Sequence, residues 1–213
     1  LYVLPAVSVS FQKQSANTVI TSGNNTYQFT GATFDIFESA SGARAGTIKM
    51  DSNGRAQATL LPNTAYYLVE TKAPAGYVPR HDRIAFTTGN DGGRVAIDEQ
   101  PGTINLRIVK LDAATNASPQ VGSSLAGAEF TCVSQSTPGW AQILTTDESG
   151  RATLADVPLG TFTIYESKAP EGYLPSNDSW TYTVGADQLG DSGVVEIESR
   201  VSDIPIAFNL EIS

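Results

Sequence analysis

The sequence predicts an all-β chain built as two tandem immunoglobulin-like β-sandwich domains, and two observations carry that prediction. The segment Glu70-Thr-Lys-Ala-Pro-Ala-Gly-Tyr77 returns as Glu166-Ser-Lys-Ala-Pro-Glu-Gly-Tyr173, an offset of 96 residues, and self-similarity at a fixed period marks one structural unit written more than once. Apolar residues alternate at period two, in short runs broken by Gly, Pro, Asn and Asp, as in half-buried strands rather than helices. The same offset joins Asp51-Ser-Asn-Gly-Arg-Ala56 to Asp147-Glu-Ser-Gly-Arg-Ala152, and Gly31-Ala-Thr-Phe34 to Gly127-Ala-Glu-Phe130. Lys13 meets Lys110 with one residue of slip. At the carboxyl end Val95-Ala-Ile-Asp98 aligns with Ile206-Ala-Phe-Asn209 if about fifteen residues are inserted in the second copy. The expected domains are therefore 1–102 and 103–213, joined at Gln100-Pro-Gly102, with an inserted hairpin near 185–200 in the second.

Strands are expected in the first half near 6–13, 32–38, 45–50, 55–60, 64–71, 83–88 and 93–99. Their counterparts fall near 103–111, 127–134, 140–146, 151–154, 161–167, 179–184 and 203–212. In the opening strand Val7, Val9, Phe11 and Lys13 share one face, as do Ile104, Leu106, Ile108 and Lys110 in its repeat, because side chains alternate across a strand. The Asn53-Gly54 and Ser149-Gly150 steps read as hairpin-type turns, where Gly accepts the positive φ required. Further along, the same alternation places Glu70 with Leu68, and Glu166 with Phe162 and Ile164. Each half thus aims one ammonium and one carboxyl at its own core.

Composition narrows the function. The net charge is −9 with 13 Lys plus Arg, scattered rather than clustered, which argues against nucleic acid or an anionic membrane as partner. A lone cysteine excludes an internal disulfide, and Cys132, alternating with Phe130, reads as a small buried side chain. His81 is the only histidine, so a His-based triad or metal cluster lacks members. No phosphate-binding loop or EF-hand spacing is present, and no cofactor is expected. There is no apolar run long enough to cross a bilayer, no cleavable signal and no initiating Met, so the chain reads as processed or as an excised segment. Pro74-Ala-Gly-Tyr77 and Pro170-Glu-Gly-Tyr173 read as turns with a Tyr packed over the sandwich end. Lys72 and Lys168 read as solvated, and Trp140 and Trp180 as core in preference to a glycan platform.

The run Lys110-Leu-Asp112, Leu125-Ala-Gly-Ala-Glu-Phe130, Asp147-Glu-Ser-Gly-Arg151 and Tyr165-Glu-Ser-Lys-Ala-Pro-Glu-Gly-Tyr173 resembles the collagen-adhesin B-type (Cna B, SpaA-like, prealbumin-like) domain of Gram-positive surface adhesins and pilins. The resemblance spans both halves. It departs at the start of the first, where Lys13 is followed by Gln-Ser rather than an apolar residue and Asp. It implies prealbumin-like sandwiches carrying a spontaneous intramolecular isopeptide bond between a first-strand Lys and a last-strand Asn or Asp, promoted by a Glu. Carried over, this gives Lys110, Asn209 and Glu166 in the second half, and Lys13, Asp98 and Glu70 in the first.

Such a bond needs a neutral amine and an electrophilic carbon. Burial disfavours both charged forms, and a folded scaffold holds the reactants at high effective molarity. Strict alternation, however, sets Ile97 and Phe208 on the face opposite Asp98 and Asn209. Bringing those acceptors inward requires a β-bulge or packing on both faces; Glu99 and Asn105 are the fallback partners. The function implied is a non-enzymatic stalk or pilin segment, extracellular and wall-associated, whose partners are other domains of the same surface protein. The alternative is a ligand-binding module for a host matrix protein or glycan, using loops 14–31 and 185–200.

Overall fold

The computed structural model of the chain describes residues 5–206. Apart from one turn of helix, α1 (Thr18–Thr21), and a 3-10 turn at Ala186–Gln188, its regular elements are strands. The described residues form two compact units, the first of 5–21, 25–102 and 185–193, the second of 22–24, 103–184 and 194–206.

The first unit contains β1 (Val7–Ser15), β2 (Thr33–Glu38), β3 (Arg44–Lys49), β4 (Arg55–Leu60), β5 (Ala65–Lys72), β6 (Ile84–Thr87) and β7 (Gly93–Glu99). One sheet has the order β4-β1-β7 and the other β3-β2-β5-β6. Val9 and Phe11 of β1, Phe34 and Ile36 of β2, Leu68 of β5 and Ile97 of β7 fill the space between them. Each side chain withdrawn from water contributes on the order of 1.5–3 kcal/mol. The period-two pattern in the sequence records which residues do so.

The second unit contains β8 (Thr103–Asp112), β9 (Glu129–Ser134), β10 (Ala141–Thr145), β11 (Arg151–Pro158), β12 (Gly160–Lys168), β13 (Tyr173–Leu174), β14 (Ser179–Val184) and β15 (Val194–Pro205). Its sheets have the orders β11-β8-β15-β13 and β10-β9-β12-β14. Ile104, Leu106 and Ile108 of β8 face Phe130 and Cys132 of β9 and Phe162 and Ile164 of β12 from opposite sheets, and all seven are at most 1% exposed.

In both units the last described strand lies parallel to the first. Lys13 pairs with Ile97 and Ser15 with Glu99; Lys110 pairs with Val201 and Asp112 with Asp203. Ile97 therefore corresponds to Val201, and Glu99 to Asp203. The second copy is longer by eight residues at this point, not fifteen, since 201 lies 104 positions after 97. The hairpin expected near 185–200 is replaced by nine connecting residues, 185–193, and by the first half of β15. The strand expected at 203–212 begins instead at Val194, and residues past 206 lie outside the described part. Polarity misled the alignment. The inward face of β15 carries the buried Ser199 and Asp203 beside Val201, whereas Ile204 and Ile206 are 64% and 42% exposed.

The Asp-x-x-Gly-Arg turns seat the lysine strands. Asp51 Oδ1 accepts the N–H groups of Asn53 and Arg55 at 2.9 and 2.8 Å, and Asp147 Oδ1 those of Ser149 and Arg151 at 2.8 and 3.0 Å. Gly54 has φ +71°, and its carbonyl accepts the Lys13 N–H at 2.7 Å. A Cβ there would stand 2.7 Å from the Lys13 carbonyl oxygen. Gly54→Ala is expected to cost at least about 1–2 kcal/mol from the left-handed backbone alone. The check is the denaturant midpoint of the first domain; an unchanged midpoint would mean the turn does not hold Lys13.

Candidate functional site

Each sandwich buries one lysine between two carboxyl groups and an aromatic ring. Lys13 Nζ lies 2.6 Å from Glu70 Oε1, 3.1 Å from Glu99 Oε1 and 4.5 Å from the centre of the Phe34 ring. Lys110 Nζ lies 2.7 Å from Glu166 Oε1, in ion-pair contact with Asp203 Oδ1, and 5.4 Å from the centre of the Phe130 ring. The side chains of both lysines and all four acids are at most 2% exposed. Removing such charges from water is costly unless they are paired or neutralised.

Local structure explains how the glutamates turn inward. Phe34 pairs with Glu70 and Phe130 with Glu166, and in each case the ladder register shifts just beyond the glutamate. An irregularity of this kind bends the strand and ends regular pairing beside the site. The second carboxylate oxygen is then held by the loop after the Gly-Tyr step. The Arg80 N–H donates to Glu70 Oε2 at 2.7 Å, and the Ser176 N–H to Glu166 Oε2 at 2.8 Å. One oxygen is thereby fixed by backbone and the other faces the lysine.

Lys13 donates a hydrogen bond to Glu70. Lys110 approaches both of its carboxyls within ion-pair distance, Glu166 Oε1 and Asp203 Oδ1 alike. Burial pushes the Asp203 carboxyl up to about 6 against the opposing pull of Lys110, with Glu166 adding to the rise. Burial also raises Glu99, opposed by Lys13, reinforced by Glu70 and opposed again by Arg80. Neutralising the acid is one of the two conditions for amide formation.

The sequence-derived sites Lys13 with Glu70 and Lys110 with Glu166 are thus brought together. Asp98 is not. It is exposed and accepts a hydrogen bond from Gln14 Nε2 at 2.6 Å, while Ile97 and Glu99 on either side are buried. The β1–β7 register runs unbroken from Val9 to Ser15, so no bulge turns Asp98 inward. Glu99 takes the place expected of Asp98. Asn209 lies outside the described residues, and the second carboxyl in contact with Lys110 among the described residues is that of Asp203. Asn105 is directed away, donating to Glu196 Oε1 at 2.8 Å in an exposed pair.

Other singled-out residues take structural places. Tyr77 and Tyr173 are buried, and Tyr173 donates from its hydroxyl to Asp112 Oδ2 at 2.8 Å. Trp140 is buried and Trp180 half-buried; Lys72, Lys168 and His81 are exposed. Cys132 is fully buried and its thiol is pushed up to about 12 by burial, which disfavours the reactive thiolate. Segment 14–31 packs Ile20 and Tyr27 inward, and most of 185–200 is connector and strand. No cluster of His, Cys, Asp or Glu suited to a metal occurs among the described residues. None of their helices is long and apolar enough to cross a membrane.

Residues 14–101 and 105–198 each match the SpaA prealbumin-like fold domain. The chain belongs to this family. Its two SpaA-like domains resemble the TIE protein of Bacillus anthracis at TM-score 0.67 and 22% identity, over 95% of this chain and 34% of that one. They also resemble a C-terminal fragment of the pilus adhesin SpaC from Lactobacillus rhamnosus GG, at TM-score 0.52 and 16% identity, over 96% of this chain and 100% of the fragment. A SpaC structure of which 31% is covered aligns at TM-score 0.53 and 18% identity. At such identities the likeness establishes the fold, and the chain spans about a third of the Bacillus anthracis protein. No curated protein matches. SpaA-like domains are structural, non-enzymatic units.

Proposed function

We propose that this chain is a stalk or pilin segment of a Gram-positive surface protein, and that its second domain is stapled by an isopeptide bond between Lys110 and Asp203 promoted by Glu166. The observation that carries the reading is the fully buried contact of Lys110 Nζ with both Asp203 and Glu166. In the step, the neutral Lys110 amine attacks Asp203 Cγ, the C–OH bond breaks, and an amide and one water result. Glu166, as a carboxylic acid, polarises the acceptor carbonyl and relays the amine proton to the departing hydroxyl. The fixed register of β8 and β15 supplies the proximity.

Joining first strand to last suits a segment under tension, because a pull on the domain ends passes through the amide rather than the sandwich between. The setting is extracellular and wall-associated, and the partners are neighbouring domains of the same surface protein. Intact mass of the purified chain tests the chemistry. One water below the sequence mass is expected, with a Lys110–Asp203 linked peptide after digestion. Loss of ammonia would move the acceptor to Asn209, and the sequence mass itself would leave a noncovalent ion cluster.

A further inference from the structure

The two lysine sites occupy equivalent places but are not charge-equivalent. Val78-Pro79-Arg80 corresponds to Leu174-Pro175-Ser176 at the repeat offset of 96, and the backbone N–H of Arg80 and of Ser176 holds the same oxygen of the respective glutamate. Only the side chains differ. Arg80 Nε stands 3.7 Å from Glu99 Oε1, and the Arg80 side chain is 23% exposed against 1% for Glu99. The guanidinium is fastened there by a two-pronged hydrogen bond to Asp82, at 3.0 and 2.9 Å, and by donation to the Asp98 carbonyl. Asp82 does not distinguish the sites, since it is 68% exposed and has an exposed counterpart in Asp178.

We propose that Arg80 keeps the first domain's Lys13 site as a noncovalent four-ion cluster, so that of the two sites only the second forms the crosslink. This rests on the isopeptide reading above. In the second domain one cation faces two acids, so the buried group reaches neutrality by holding one extra proton. That proton lets Lys110 be an amine while Asp203 and Glu166 are both carboxylic acids. In the first domain Lys13, Arg80, Glu70 and Glu99 are already neutral as two cations and two anions, and an extra proton would leave net positive charge in the core. Arginine does not give up its proton. Arg80 thereby favours the carboxylate form of Glu99, a poor acceptor, against the burial that raises it. Arg80 is a positioning residue acting through Glu99, not a reactant.

Side-chain length is a second difference, because Glu99 carries one methylene more than Asp203, and the test separates the two. Intact mass and peptide mapping are measured on the wild-type chain, Glu99→Asp, and Arg80→Ser with Glu99→Asp. Wild type and Glu99→Asp are each expected to lose one water, mapped to Lys110. The double variant is expected to lose two, the second joining Lys13 to residue 99. Should Glu99→Asp alone lose two waters, or the double variant only one, Arg80 is not what restrains the site and the proposal falls. As the reciprocal test, Ser176→Arg is expected to return to its sequence mass, and retention of the Lys110 link in that variant also overturns the proposal. Two waters lost from wild type sink this proposal alone; none lost sinks the crosslink reading and this one with it.

Discussion

Glu166→Ala or Lys110→Met is expected to lower the unfolding temperature of the second domain by on the order of 20–35 °C while leaving the first domain's transition in place. A bond from residue 110 to residue 203 closes 93 residue steps, and constraining a loop of that size contributes about 4.6 kcal/mol on the chain-entropy account worked out for disulfides. For a domain of about a hundred residues each kcal/mol corresponds to about 4–8 °C. The Lys110 and Glu166 changes act differently. Lys110→Met removes the nucleophile and leaves two buried acids facing each other. Glu166→Ala keeps the amine and the acceptor in contact but removes the proton relay, so its expected product is a folded, uncrosslinked domain with the Lys110–Asp203 ion pair intact. Calorimetry should resolve two transitions in wild type, the second far above the first, converging in either variant. If Glu166→Ala retained both the mass deficit and the upper transition, Glu166 would be a bystander that merely neutralises the lysine.

The sandwich, the repeat and two buried groups of each site, the lysine and its glutamate, were legible because each leaves a periodic trace. Val9, Phe11 and Lys13 alternate, and so do Leu106, Ile108 and Lys110. Glu70 and Glu166 sit at one offset inside an eight-residue match. Phe34 and Phe130, which floor the two sites, share that offset too, although nothing in a lone Phe marks it as lying under an ammonium. The second acids, Glu99 and Asp203, were not legible in the same way. They lie past the point where the copies change length, and the inward face of β15 is part polar, so apolar periodicity pointed to Ile206 and Phe208 instead. In the first domain the alternation itself was right. It set Asp98 outward and Ile97 inward, and Glu99, two residues beyond Ile97, had to share the buried face. The Asn or Asp acceptor that the resemblance implies drew attention to the exposed Asp98 rather than to the buried Glu99 beside it. Arg80 left no trace at all, because its influence depends on a loop crossing above Glu99, and only packing brings those residues together.

Lys13→Met should destabilise the first domain by about 3–5 kcal/mol at neutral pH, since removing one partner strands buried charge that the fold cannot hydrate. Glu70 and Glu99 would then face each other across a methionine stem, with Arg80 3.7 Å from Glu99 as the nearest compensation. The loss is expected to shrink on acidification. Glu99 is already raised above its ordinary 4.5 by burial, and Lys13 is the foremost influence opposing that rise, so the substitution raises it further. A carboxyl whose folded value exceeds its unfolded value binds a proton that the unfolded chain has shed. Its stabilising contribution is complete below the unfolded value and disappears as pH rises through the folded one. Denaturant titrations at about pH 5 and about pH 8 should therefore show the variant closer to wild type at the lower pH. Wild type, with Lys13 and Arg80 balancing the two acids, should change less over the same range. An equal deficit at both values would mean that Glu99 stays ionised without Lys13, and Arg80 alone would then be sufficient to hold it.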